Sequence, residues 1–212
     1  MRVLELFKGT GSLTKYCEAN GWGCVSLDIE PKFGATHTCD ILDFDYTQYL
    51  VDHFDVIWAS PECKVYSSLQ YMNVGKYKYK TKADLEHAQQ DNWKYTDKAI
   101  EMIYYFKPHK WFIENLLTSQ LMKHPKLSLM PFIICDYCRF GTSHKKPTRI
   151  WTNVQKPNAR CACVGNHKCV VSLNKHQDLK DVNYLNNKLE TKYAIPQLLI
   201  GYLMSYLFKY CK

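Results

Sequence analysis

Short apolar runs alternate with helix-patterned segments through the first half of the chain, and that alternation allows few architectures. Residues 2–7 read as a strand, 8–12 as a turn, and 13–20 as a helix with Ser12 as N-cap and Gly21 just past its end. Residues 24–28, 36–40, 54–59, 110–114 and 131–135 read as further strands, the second of these weakly. Strands separated by helices pair in parallel, which predicts a doubly wound, mostly parallel α/β sheet. Ligands of such sheets sit off the carboxyl ends of the strands. Phe7, Gly9, Gly11, Asp28, Asp40, Cys63 and Glu114 all fall there. Two stretches break the rhythm. Residues 64–94 form a polar Lys/Tyr-rich loop leading into a helix near 85–106, and 155–190 show little periodicity. An apolar helix over 193–210, starting near Pro196, closes the chain.

The 212 residues suit one domain, and 46% hydrophobic with 23% charged residues suits a packed core. No run of 18 apolar residues occurs and Met1–Glu5 lacks an apolar leader, so the expectation is an intracellular, non-secreted protein with no membrane span. The ten cysteines then read as reduced thiols. Charge is segregated: residues 1–62 carry 4 Lys/Arg against 10 Asp/Glu, and 63–212 carry 24 against 10. A basic remainder attracts a polyanion such as nucleic acid; the plainer alternative is solubility charge spread over a surface.

Glycines at 9 and 11, between a strand and a helix, permit a tight turn and close approach to backbone amides, the geometry for a nucleotide-like ligand. Asp28 ends the second strand roughly 20 residues downstream, where a carboxylate meets ribose hydroxyls in such folds. Asp40 either accepts from an adenine amine or caps a local turn. A third glycine and a phosphate-binding Lys-Ser/Thr pair are both missing, which argues against NAD and P-loop enzymes. Cys63, off a strand end beside Lys64, is placed to be an exposed thiolate of lowered pKa. Glu114 and Asn115 end a strongly apolar strand and are either a helix cap or a site. Cys161, Cys163, His167 and Cys169 offer four metal-capable side chains in a short loop, either a structural zinc site or free thiols, with Cys135 and Cys138 as a second pair. Lys76, Lys78, Lys80 and Lys82, interleaved with Tyr77 and Tyr79, either bind phosphates and stack on bases or form a solvated loop.

The series Phe7-x-Gly9-x-Gly11, Ser60-Pro61-Glu62-Cys63, Glu114-Asn115-Leu116, Arg139-Phe140-Gly141, Lys146-Pro147-Thr148-Arg149-Ile150-Trp151 and Tyr193-Ala194-Ile195-Pro196-Gln197 resembles the DNA (cytosine-5)-methyltransferases, most of all their small viral and phage-type members. The resemblance implies a Rossmann-like sheet binding S-adenosylmethionine, with a catalytic domain of residues 1–154 plus 191–212 and a very small target-recognition insert, 155–190. It implies a covalent Cys63–C6 intermediate, Glu114 at cytosine N3, and Arg149, with Lys146 as a further basic residue, holding the base's O2. Phe7, Gly9, Gly11, Asp28, Asp40 and Pro61 would shape the cofactor pocket. The expected partner is double-stranded DNA with its target base flipped out, met by a monomer with a small-molecule methyl donor. Glu62 stands where the family has a second proline, and its charge pushes a neighbouring thiol up. Two alternatives follow: the same reaction on RNA, and an inactive DNA-binding protein on this scaffold.

Overall fold

The computed structural model describes residues 1–76, 78–161 and 193–205. Its strands are β1 (Arg2–Leu6), β2 (Gly23–Asp28), β3 (His37–Thr38), β4 (Val56–Ala59), β5 (Lys110–Leu116), β6 (Phe132–Asp136) and β7 (Pro147–Thr152). The helices are α1 (Ser12–Ala19), α2 (Lys82–Asp91), α3 (Trp93–Phe106) and α4 (Gln197–Met204). Among the described residues the strands form one seven-stranded sheet in the order β3-β2-β1-β4-β5-β7-β6. β3, β2, β1, β4 and β5 run parallel; β7 is antiparallel to both β5 and β6.

Alternation along the strands feeds two cores, one on each face. Leu4, Leu6, Ile57, Ala59, Ile113 and Trp151 pack against Ala99, Ile100, Ile103 and Phe106 of α3. Val3, Val56, Trp58, Phe112 and Ile150 pack against Leu13 and Cys17 of α1 and Leu199, Ile200 and Leu203 of α4. Both sheet faces are therefore covered, as a mostly parallel sheet requires. Strand order reverses between β1 and β4, which opens a crevice beyond their carboxyl ends.

Three details depart from expectation. The segment 147–152 is a strand in its own right, held between β5 and β6, with Pro147 at its first position where no interior ladder bond is lost. The helix foreseen near 85–106 is two helices broken at Asn92. Finally, α1 is capped by Gly11 in a left-handed conformation rather than by Ser12. Its orphan amides are met instead by a carboxylate from β1: Glu5 accepts from Leu13 N and Thr14 N, each at 3.1 Å, and from the Thr14 hydroxyl. Ser12 serves the other end of the chain, accepting from Ile195 N at 2.9 Å through Oγ and from Gln197 Nε2 at 2.8 Å through its carbonyl.

Candidate active site

The glycine turn is built by backbone conformations that few residues tolerate. Gly9 and Gly11 have φ of 50° and 69°, and Phe7 between strand and turn has φ of 60°, a left-handed value costing a non-glycine residue about 1 kcal/mol or more. Neighbours hold it in place. Lys8 N donates to Leu27 O at 3.0 Å and Gly11 N to Lys8 O at 2.9 Å. Gly9 N donates to Asp28 Oδ2 at 2.7 Å, and Glu30 N to Asp28 Oδ1 at 2.9 Å. The carboxylate ending β2 thus ties itself to the turn after β1. Asp40 lies two residues past β3 and accepts from Leu42 N at 2.9 Å. Phe7, Gly9, Gly11, Asp28 and Asp40 accordingly share one acidic rim along the carboxyl ends of β1, β2 and β3, to which buried Glu5 adds. Glu5 is the rim residue that sequence reasoning overlooked. An acid within an otherwise apolar strand was the available signal.

Beyond β4 the loop 60–63 is clamped to β1 and β5. Ser60 N donates to Leu6 O at 3.2 Å, and buried Asn115 donates through Nδ2 to Pro61 O at 3.0 Å. Glu114, only 8% exposed at the end of β5, accepts from the Tyr137 hydroxyl at 3.1 Å. Lys146, likewise buried, lays its ammonium 4.6 Å from the centre of the Tyr137 ring. Cys63 is partly buried and its thiol is pushed up, first by burial and then by the charge of Glu114, with Lys146 pulling the other way. This corrects the expectation of an exposed, low-pKa thiolate beside Lys64: Lys64 points into solvent and the opposing cation comes from the far side of the sheet order. Glu62 is exposed and ranks below burial, Glu114 and Lys146 among the influences on Cys63.

Arg149 is not brought to this group. On β7 it pairs with Asn115, one residue out of register from Glu114, so the pleat turns it to the opposite face. There its guanidinium lies 4.6 Å from the Phe132 ring centre and 5.5 Å from that of Trp151. The Lys/Tyr strip is also partly re-read. Lys76, Lys78, Lys80 and Lys82 are exposed, but Tyr79 is buried, with its carbonyl accepting from Gly75 N at 2.8 Å. Tyr79 therefore anchors a turn and is not available to stack on a base; Tyr77 lies outside the described residues. Of the zinc ligands expected from sequence, Cys163, His167 and Cys169 lie outside the described residues. Cys161 is in a disulfide, and its backbone N donates to Asp136 at 2.7 Å. Cys135 and Cys138 are buried thiols in the core, and no cluster of three or more potential metal ligands occurs among the described residues. Zinc therefore finds no support. No helix among those residues is long and apolar enough to cross a membrane.

The rim is acidic, and along the neighbouring strand ends a thiol, a carboxylate and an ammonium bear on one another. That combination can add a nucleophile to an electron-poor ring and manage the resulting charge. No protein-family model matches the chain. It is 33% identical over 172 residues to a protein of Frog virus 3 (isolate Goorha) described as a probable DNA (cytosine-5)-methyltransferase, an alignment spanning 80% of this chain and 78% of the viral one. With the parallel sheet, the glycine turn and the Cys63–Glu114 pairing behind it, this similarity places the chain in the DNA (cytosine-5)-methyltransferase family.

Proposed function

We propose that the protein methylates C5 of cytosine in double-stranded DNA with S-adenosylmethionine, through a covalent bond between Cys63 and C6. The observation carrying this reading is the thiol of Cys63, on a loop clamped through Pro61, within the charge influence of the buried Glu114 and Lys146. The rim fits the methyl donor: Asp28 stands for its ribose hydroxyls, Asp40 for its adenine amine, and Phe7, Gly9, Gly11 and Pro61 shape the walls. A sulfonium cation suits an acidic cradle. When bound there, S-adenosylmethionine supplies an electrophilic methyl group.

This chain's residues do the rest. The Cys63 thiolate adds to C6, and the displaced π-electrons reach N3, where Glu114 delivers a proton. C5 becomes enamine-like and would take the methyl group of a bound donor, whose S–CH3 bond would break to leave a neutral thioether. Loss of the C5 proton to water then expels the thiolate, the C6–S bond breaking as the ring regains aromaticity and N3 returns its proton to Glu114. Lys146 is the cation placed to hold the base's O2 and to favour the thiolate; Arg149, on the other face, is better placed to brace the sheet edge. Residues 155–190 form the target-recognition insert, and Lys76, Lys78, Lys80 and Lys82 meet DNA phosphates. Bisulfite sequencing of plasmid from cells expressing the chain, with Cys63→Ser as control, tests the whole reading. Converted cytosines at a fixed sequence context only with the intact chain support it. Labelled-methyl transfer into structured RNA but not duplex DNA, or salt-sensitive DNA binding without transfer, would replace it.

A further inference from the structure

We propose that Tyr137 is a positioning residue for Glu114: its buried hydroxyl holds one carboxylate oxygen so that the other alone is presented to the cytosine ring. The proposal rests on the assignment of Glu114 to N3 made above.

Tyr137 follows β6 at the start of a single 3₁₀ turn, Tyr137–Phe140, and is fully buried. β6 lies two strands from β5, about 10 Å at ordinary strand spacing, so only a long side chain reaches across β7 to Glu114. The phenol does so with 3.1 Å between its oxygen and Oε1. Its backbone is fixed at both flanks, Tyr137 N donating to Lys145 O at 2.9 Å and Asp136 N to Ala159 O at 3.0 Å. Burial pushes the phenol well above its ordinary value, so the group stays protonated and acts toward a carboxylate as a donor. The same ring carries the Lys146 ammonium over its face at 4.6 Å. One side chain therefore sets the place of both the acid and the cation that act on Cys63. A carboxylate with a single oxygen engaged has one preferred rotamer; with none engaged it samples several, and the proton donor for N3 is then misaligned for much of the time.

The test is a double-mutant cycle read by single-turnover methyl transfer into duplex DNA, using the full chain. Tyr137→Phe keeps the ring and its contact with Lys146 and removes only the hydroxyl. The expected result is a rate lower by roughly 10- to 100-fold, with the KM for S-adenosylmethionine and the melting temperature unchanged. Placing Tyr137→Phe on top of Glu114→Gln should add no further loss, because the hydroxyl then has no carboxylate to orient. A wild-type rate in Tyr137→Phe, or losses that multiply independently in the double variant, would overturn the proposal. A wild-type rate in Glu114→Gln would instead sink the assignment of Glu114 itself. Should Tyr137→Phe melt early, replacement of tyrosine by 3-fluorotyrosine keeps the shape while making the phenol a stronger donor. A rate change of about two-fold or more supports the orienting bond, and an unchanged rate rejects it.

Discussion

Two charges bear on the sulfur of Cys63 from opposite sides, and their balance decides when it can attack. Burial and Glu114 push the thiol up while Lys146 pulls it down. The net shift is upward, so in the free protein the thiolate fraction grows only as pH climbs past the ordinary cysteine range. Alkylation of Cys63 by iodoacetamide, followed by peptide mass spectrometry, should show that late midpoint. Glu114→Gln removes a neighbouring negative charge and should move the midpoint to lower pH; Lys146→Met removes the opposing cation and should move it higher. Shifts of the opposite sign would mean that these groups do not face the sulfur. Methyl transfer should vanish in Cys63→Ser while S-adenosylmethionine binding by calorimetry stays close to wild type. Glu114→Gln should remove about 2–4 kcal/mol of transition-state stabilisation, seen as a fall in kcat on duplex DNA. The location of the sulfur was legible in the sequence, because a strand ending in Ala59 and a turn at Pro61 put Cys63 at the crevice. Its ionisation state was not. The neighbour visible in the sequence, Lys64, faces water, whereas the effective cation, Lys146, sits just ahead of β7, much later in the chain.

At the scale of elements, the glycine turn depends on how α1 begins. Its first amides have no side-chain cap from Gly11 or Ser12 and rely on Glu5, reaching across from β1. An acid at a helix N-terminus is favoured by the helix dipole, although burial pushes this carboxyl up. Glu5→Ala should leave the amides of Leu13 and Thr14 unsatisfied, lowering stability by about 1–3 kcal/mol in urea unfolding. It should also weaken S-adenosylmethionine binding more than an equally destabilising change in α3, since the turn itself loosens. Equal weakening in both variants would deny Glu5 that role. The parallel half of the sheet could be read from sequence because each strand there is a short apolar run flanked by turn residues. β7 was hidden by its own composition: Pro147, Thr148 and Arg149 suggest a polar motif, and its strand character comes from being wedged between two partners. The same wedge explains Arg149. The family resemblance put a basic residue at the base held by Glu114, but a one-residue offset in a pleated strand reverses the face.

For the molecule as a whole, the segregated charge has a measurable consequence. The proposed cationic donor meets the acidic rim, and exposed lysines at 76, 78, 80 and 82 lie on the segment that follows the Cys63 loop. If each neutralises one phosphate, DNA affinity should fall about 100-fold between 50 and 200 mM salt. Changing all four to glutamine should flatten the log–log salt slope by about 3–4 while leaving donor binding intact; an unchanged slope would place the DNA elsewhere.

The bonds from Ser12 to Ile195 and Gln197 join the glycine turn to a segment 183 and 185 residues away along the chain. The turn therefore takes its full set of partners only once that long-range contact has closed, after the nearer bonds from Lys8 to Leu27 and from Gly9 to Asp28.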